Sequence, residues 1–239
     1  MSKYYEEIRS PIREKEFVVS GAVSEFLRQV FVTMAIGLVI TGMAAWYVGT
    51  NPELFAQLFM SSAILGWVIM LAPLGVVIFL SARIHKMSFT NASIAFGLYS
   101  LINGISLSVI FMVYAQGTLM KVFFITAGTF AAMAMIGYTT KVDLSKMGSI
   151  LYMALIGLII ASVVNYFMDS SMLDYIISVV GVLIFSGLTA YDMQKLKIIG
   201  ANVDPGDEGA KKVALMGALN LYLDFINLFL FLLRIFGRD

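Results

Sequence analysis

The sequence predicts an all-α membrane protein, a bundle of seven transmembrane helices, and three observations carry that prediction. Sixty per cent of the 239 residues are hydrophobic, 13% are charged and the mean hydropathy is +0.90, whereas soluble domains carry roughly one quarter charged residues. Apolar windows long enough for a bilayer recur seven times along the chain. Each is a continuous run rather than a short alternating strand of a barrel, so its backbone groups must be satisfied within a helix.

The windows lie at about 28–49, 61–82, 91–115, 118–140, 148–168, 174–194 and 213–236. Residues 1–27 are polar and mixed in charge, with no apolar stretch after a short basic start, and read as an N-terminal cytoplasmic segment rather than a cleaved signal peptide. Ser24 is placed to cap the first helix, and Glu25 suits the positive end of its dipole. Asn51 and Pro52 read as a cap and first-turn pair opening the second helical region, and Pro73 is expected to kink or locally open that helix. Only a few residues around Gln116, Gly117 and Thr118 separate the third and fourth windows, and Lys121 argues against merging them. Between the last two windows, Gly200 to Gly209 is turn-rich; its Asp204, Asp207 and Glu208 lack the spacing of an EF-hand and read as a solvated loop. Residues 28–239 form one membrane domain.

Charge supplies an orientation. With the N-terminus inside, thirteen of the sixteen Lys and Arg residues fall on cytoplasmic segments and only Lys121, Arg234 and Arg238 fall outside, which places the C-terminus outside. The formal charge of +1 comes with no basic patch, so nucleic acid is not an expected partner. The chain has no cysteine and one histidine, His85, which reads as a loop residue. Thiolate chemistry and polyhistidine zinc sites are thereby excluded, no serine–histidine arrangement is evident, and the last window holds no lysine for a Schiff base. We therefore expect no enzyme and no resident cofactor.

Function points first to Asp224, in the middle of the last window. An ionised side chain near a bilayer centre costs at least about 2.5 kcal/mol and normally faces a protein interior or an aqueous cavity. Asn220 and Asn227 lie one turn to either side on the same helix face, and the stripe either lines an ion pathway or packs helices together. Asp192, in Tyr191-Asp192-Met193-Gln194-Lys195, is either an interfacial acid paired with Lys195 or a second carboxylate facing Asp224, where the two would bind calcium or share a proton. Simple depths do not match: at about 1.5 Å per residue Asp224 lies roughly 16 Å beyond Val213, and Asp192 roughly 27 Å beyond Asp174. Continuation of the sixth helix through Ile199, with Lys195 and Lys197 snorkelling, or a helix tilt, would bring the acids level. Arg83 is a candidate cation for this acidic site, or an ordinary positive-inside anchor.

The contexts of these acids, Gly187-Leu-Thr-Ala-Tyr-Asp-Met-Gln-Lys-Leu-Lys197 and Asn220-Leu-Tyr-Leu-Asp-Phe-Ile-Asn-Leu-Phe-Leu-Phe-Leu-Leu-Arg234, resemble those of the Bax inhibitor, or transmembrane Bax inhibitor motif, family. Phe26-Leu-Arg-Gln-Val-Phe and Ser81-Ala-Arg-Ile-His-Lys-Met-Ser88 resemble its bacterial members, and the likeness covers most of the chain. The resemblance implies a seven-helix bundle with a central seventh helix, an inner-membrane location and a pH-sensitive calcium leak. It assigns Asp192 and Asp224 to a regulating pair of aspartates and Arg83 to an arginine that latches the closed state. The partners expected are the lipid bilayer, calcium and protons. The rival readings are a membrane interaction protein that modulates proteases or other complexes, and a proton-coupled transporter.

Overall fold

Seven helices of the chain are long and apolar enough to cross a membrane, and no strand occurs among the described residues. The computed structural model describes residues 2–237, with the side chains of residues 21–237 other than His85, whose assignment to a loop role lies outside the described side chains. In chain order the helices are α1 (Ser2–Gly49), the short α2 (Pro52–Phe55), α3 (Ala63–Arg83), α4 (Phe89–Leu107), the short α5 (Ile110–Val113), α6 (Gln116–Thr139), α7 (Ser145–Met168), α8 (Ser171–Gly200) and α9 (Glu208–Phe236). The crossing segments are Gly21–Gly49 of α1, Phe89–Val113 across α4 and α5, and α3, α6, α7, α8 and α9.

Local sequence explains most boundaries. Asn51 accepts a hydrogen bond from the Leu54 amide and Pro52 fills the first turn, but the helix they open is α2 and a following π turn. The second crossing helix starts separately, at Ala63 behind Ser62. Ser88 caps α4 through the Asn91 amide, and Ser170 caps α8 through the Leu173 amide. Asp169 takes a left-handed φ of 49° to end α7 and turn the chain within two residues. Ser24 does not cap: α1 runs unbroken through it, and Glu25 instead holds Arg28 at 2.7 Å one turn on. A helix already formed upstream leaves no free amides at Ser24 for a cap to satisfy. The assigned α3 also continues through Pro73.

The core is organised by α9. Its most apolar stretch is 56% buried, against 11–39% in the other six crossing helices, and it packs on α1, α4, α6 and α8. That centrality follows from its sequence, because Leu215, Leu219, Tyr222 and Leu233 are all nearly inaccessible and bury apolar surface on several sides of the helix. Small residues let neighbours come close. Gly137 of α6 lies against the Ala190 backbone of α8, where a Cβ would collide with the carbonyl oxygen. Gly104 of α4 lies in the same way against Thr41 of α1.

A buried hydrogen-bond chain crosses three helices at the far side of α9. Asn103 Nδ2 donates to Tyr222 Oη at 2.7 Å, and Thr41 Oγ1 lies 2.6 Å from the same phenol. Thr41 gives its one proton to the Ser100 carbonyl at 2.9 Å, so the phenol must donate to Thr41. Phe96 and Tyr99 meet the Tyr222 ring edge-on, each with centroids 5.7 Å away. Both hydroxyls of this chain and the Asn103 amide nitrogen have partners, which is what a low-dielectric interior demands.

Candidate functional site

α8 and α9 run antiparallel as the two ends of a helical hairpin, and two close approaches fix their register. Gly217 faces Leu196, and Gly181 faces the Phe231 ring. Four residues along α8 from Leu196 stands Asp192; four residues along α9 from Gly217 stands Leu221, next to Asn220. Asn220 is therefore level with Asp192, and Asp224 is three to four residues further, about 5 Å along the axis. The apparent mismatch in depth shrinks to about 5 Å because α8 extends to Gly200, well past residue 194, and because α9 starts at Glu208, below residue 213. The continuation through Ile199 expected from the sequence is present. Lys197 turns back at its end, donating to the Tyr138 carbonyl at 2.7 Å with its ammonium 4.9 Å from that ring.

Both acids are deeply buried, Asp192 3% and Asp224 6% exposed. They line one cavity of about 670 Å³, and the charge of Asp192 acts on Asp224. Asp192 Oδ1 and Asp224 Oδ2 are the buried side-chain oxygens without a hydrogen-bond partner among the described residues. The contrast with the satisfied Tyr222 chain is informative. A buried acceptor left unmade costs on the order of 1–3 kcal/mol, so two of them on residues that line one cavity mark a site rather than a packing device.

Asn220 and Asn227, the asparagines of the stripe, line the same cavity. Asn227 also ties its amide to the Leu223 carbonyl of its own helix at 2.8 Å, leaving its carbonyl oxygen as the group to offer. Across the cavity α7 contributes Tyr152 and Ser162, and both carboxylates act electrostatically on Tyr152. Sequence reasoning passed over these two residues, because a tyrosine and a serine in an apolar helix carry no signal until a partner helix is known.

A second cavity, about 160 Å³, lies towards the α8–α9 loop and includes Lys195, Leu196, Val213 and Gly217. Asp192 and Asn220 line both cavities and so form the partition between them. The charge of Lys195 acts on Asp192, which lines the larger cavity together with Asp224.

Arg83 stands elsewhere. It is exposed at the end of α3, with its guanidinium 5.7 Å from the Phe79 ring centroid, and no ion pair joins it to either aspartate among the described residues. The loop acids are engaged in turns. Asp204 accepts from the Gly206 amide, Asp207 caps α9 through the Gly209 amide, and Glu208 accepts from the Phe89 amide. Asp174, at the start of α8, lies 3.7 Å from Arg234 near the end of α9 and closes the opposite end of the hairpin.

Calcium as a passing ion takes six to eight oxygens at about 2.3–2.6 Å. The cavity offers the two carboxylates, the side-chain oxygens of Asn220, Asn227 and Ser162, and room for water. No cluster of three or more acidic or histidine ligands occurs among the described residues.

Comparison with known proteins bears on the whole chain. The family described as inhibitor of apoptosis-promoting Bax1 matches residues 23–239. The inner membrane protein YbhL of Escherichia coli (strain K12) is 46% identical over 219 residues, covering 91% of this chain and 93% of that one. A protein of Borreliella burgdorferi is 45% identical over 215 residues, covering 90% and 92%. The protein RP147 of Rickettsia prowazekii is 37% identical over 238 residues, covering 100% and 99%.

Proposed function

This chain is a bacterial member of the Bax inhibitor family, and we propose that it is a pH-sensitive calcium leak channel gated by Asp192 and Asp224. One observation carries the reading: two buried carboxylates, each with an unpartnered oxygen, line a single cavity and stand where it meets a second one. Two negative charges in a poorly hydrated floor repel each other, and either a proton or a divalent cation relieves that repulsion. Protons and calcium therefore compete for the same oxygens, and the occupancy of the pair sets whether the path is open.

The path runs from the larger cavity past Asp192 and Asn220 into the smaller one, and leaves at the α8–α9 loop. Leu196 packed on Gly217 narrows this exit, so opening requires α8 and α9 to part there. Lys195, beside Asp192 at the exit, is the cation that an entering calcium must displace electrostatically. Arg83 reaches the pair only if α3 moves, which places any latch role in a different conformation. The chain sits in the bacterial inner membrane, like the relative whose name says so, with its basic segments and N-terminus on the cytoplasmic side.

Calcium entry into proteoliposomes across a pH series tests the reading. The native chain conducts with a pH-dependent rate; Asp192→Asn and Asp224→Asn each flatten that dependence. No flux from monodisperse native protein would end the channel reading, and unchanged profiles in both variants would remove the pair from it.

A further inference from the structure

The larger cavity has features that a passing calcium ion does not use. Its volume of about 670 Å³ falls within the roughly 300–1,000 Å³ of small-molecule sites, far more than a coordinated ion fills. Its walls above the acids are hydrocarbon and aromatic: Leu155 and Leu158 of α7, Phe185 and Leu188 of α8, and Leu223 and Phe231 of α9. Its rim is exposed rather than buried. Leu74 of α3 and Ile159 and Val163 of α7 belong to the lining and are 55–60% exposed; Leu74 and Ile159 stand in the middle stretches of their helices, and Val163 one turn nearer the end of α7. The mouth therefore opens sideways, between α3 and α7, at the depth of the bilayer's hydrocarbon core.

Polarity changes sharply from mouth to floor. The apolar rim admits molecules dissolved in lipid, whereas the floor presents Asp192 and Asp224, more than nine-tenths buried and each with an unpartnered oxygen. Among the described residues no lysine, arginine or histidine lines this cavity, Lys195 lying in the smaller one beyond Asp192. A phosphate or carboxylate head group would find no counter-charge there and would meet two acids. An ammonium head group is complementary, because it is a pure donor with up to three N–H bonds and a carboxylate is a pure acceptor.

We propose that this lateral cavity binds a lipid-borne amphiphilic amine, with its ammonium between Asp192 and Asp224 and its apolar body along the α7 wall. The body replaces lipid contacts at the rim with protein contacts, and the head meets the two carboxylates of the floor. One ammonium together with one shared proton neutralises the pair. The inference does not depend on the leak reading, since it follows from cavity shape, wall chemistry and the two acids of the floor alone.

Radiolabelled dodecylamine binding to the full chain in phosphatidylcholine nanodiscs tests it, with dodecanol and dodecanoate as same-length competitors. Saturable binding at one site per chain is expected, displaced by neither competitor. Asp192→Asn/Asp224→Asn should weaken it at least tenfold. Ser162→Phe, which fills the cavity from α7 and keeps both acids, should weaken it comparably and guards against a merely misfolded double variant. Asp143→Asn, on an exposed turn, should leave it unchanged. Non-saturable partitioning, displacement by dodecanol, or full binding by the folded double variant would overturn the proposal. Displacement by phosphatidylethanolamine at bilayer concentrations would overturn the exclusion of phosphate-bearing head groups. Calcium flux measured in parallel separates the two readings. Flux without amine binding rejects this inference alone, and amine binding without flux rejects the leak alone.

Discussion

Tyr222 and Asp224 lie two residues apart on α9, about 200° around the helix, and meet opposite conditions. The Tyr222 hydroxyl is fully used, between Asn103 and Thr41, while Asp224 Oδ2 has no partner. One side of the central helix is therefore a fastening to α1 and α4, and the other faces the cavity shared with α7 and α8. Motion at the acids requires something to hold α9 in place, and the tyrosine side supplies it.

Tyr222→Phe removes the acceptor of Asn103 and the donor to Thr41 without opening a large void. Interhelical hydrogen bonds within membranes average about 0.6 kcal/mol and reach about 1.7, and two are lost here. A loss of about 1–2 kcal/mol is expected in reversible unfolding from mixed micelles. Asn103→Leu should cost less in the Tyr222→Phe background than in the native chain, because its amide partner is already gone. Additive losses would show that the three side chains do not act as one chain.

Close helix contact makes a second, sharper contrast within α6. Alanine at Gly137 puts a Cβ onto the Ala190 carbonyl oxygen of α8, and backbone cannot step aside as a side chain can. Alanine at Gly128 meets nothing within 4 Å. Gly137→Ala is expected to destabilise by about 1–3 kcal/mol through overpacking, and Gly128→Ala to be neutral or stabilising by up to about 1 kcal/mol through helix propensity. Thermal unfolding of the two variants side by side reads the difference, and equal midpoints would reject the assigned α6–α8 contact.

The two variants also mark what was legible in the sequence. The seven crossings, the Asp224 stripe and the cap at Asn51 follow from hydropathy, helical period and residue chemistry, all of which are local. Register is not local. Whether Asp192 stands level with Asn220 depends on Leu196 meeting Gly217 and on helix ends several residues beyond the apolar windows, where Lys195 and Lys197 disguise the continuation of α8. The Tyr222 chain was hidden for the same reason, since Thr41 and Asn103 are 181 and 119 residues away in sequence. A single polar residue such as Asn103 in an apolar span was the available signal, because it demands a partner without naming one. Ser24 misled in the other direction: its chemistry suits a cap, but the helix begins far upstream.

Asp143 gives a pH dependence outside the membrane-crossing helices. It accepts from the Ser145 amide at 2.9 Å in the turn before α7, and hydrogen bonding from Ser145 holds its carboxyl below the ordinary value of 3.8. A carboxyl depressed in the folded state stabilises the turn at pH above its unfolded value and loses that contribution as pH falls through the folded one. Carbonyl-labelled NMR should place the Asp143 midpoint below 3.8, with the Ser145 amide exchanging faster as the group protonates. Asp143→Asn should remove the pH dependence of that amide. A midpoint at or above the ordinary value would contradict the turn geometry.

Coupling within the acidic pair leads to the last prediction. Asp192 and Asp224 share one cavity, and the charge of one acts on the other, so neither titrates alone. Replacing either by asparagine removes the mutual repulsion and leaves a single acid, still buried; replacing the second removes only that remaining acid. The pH profile of calcium flux should therefore change most at the first substitution, whichever residue is chosen, and the double variant should depart little further. A coupling of about 1.4 kcal/mol between the sites corresponds to a tenfold failure of multiplicativity in the flux ratios. Multiplicative effects of Asp192→Asn and Asp224→Asn, measured on equal amounts of reconstituted protein, would mean that the acids serve the pathway independently and that their common cavity is incidental to gating.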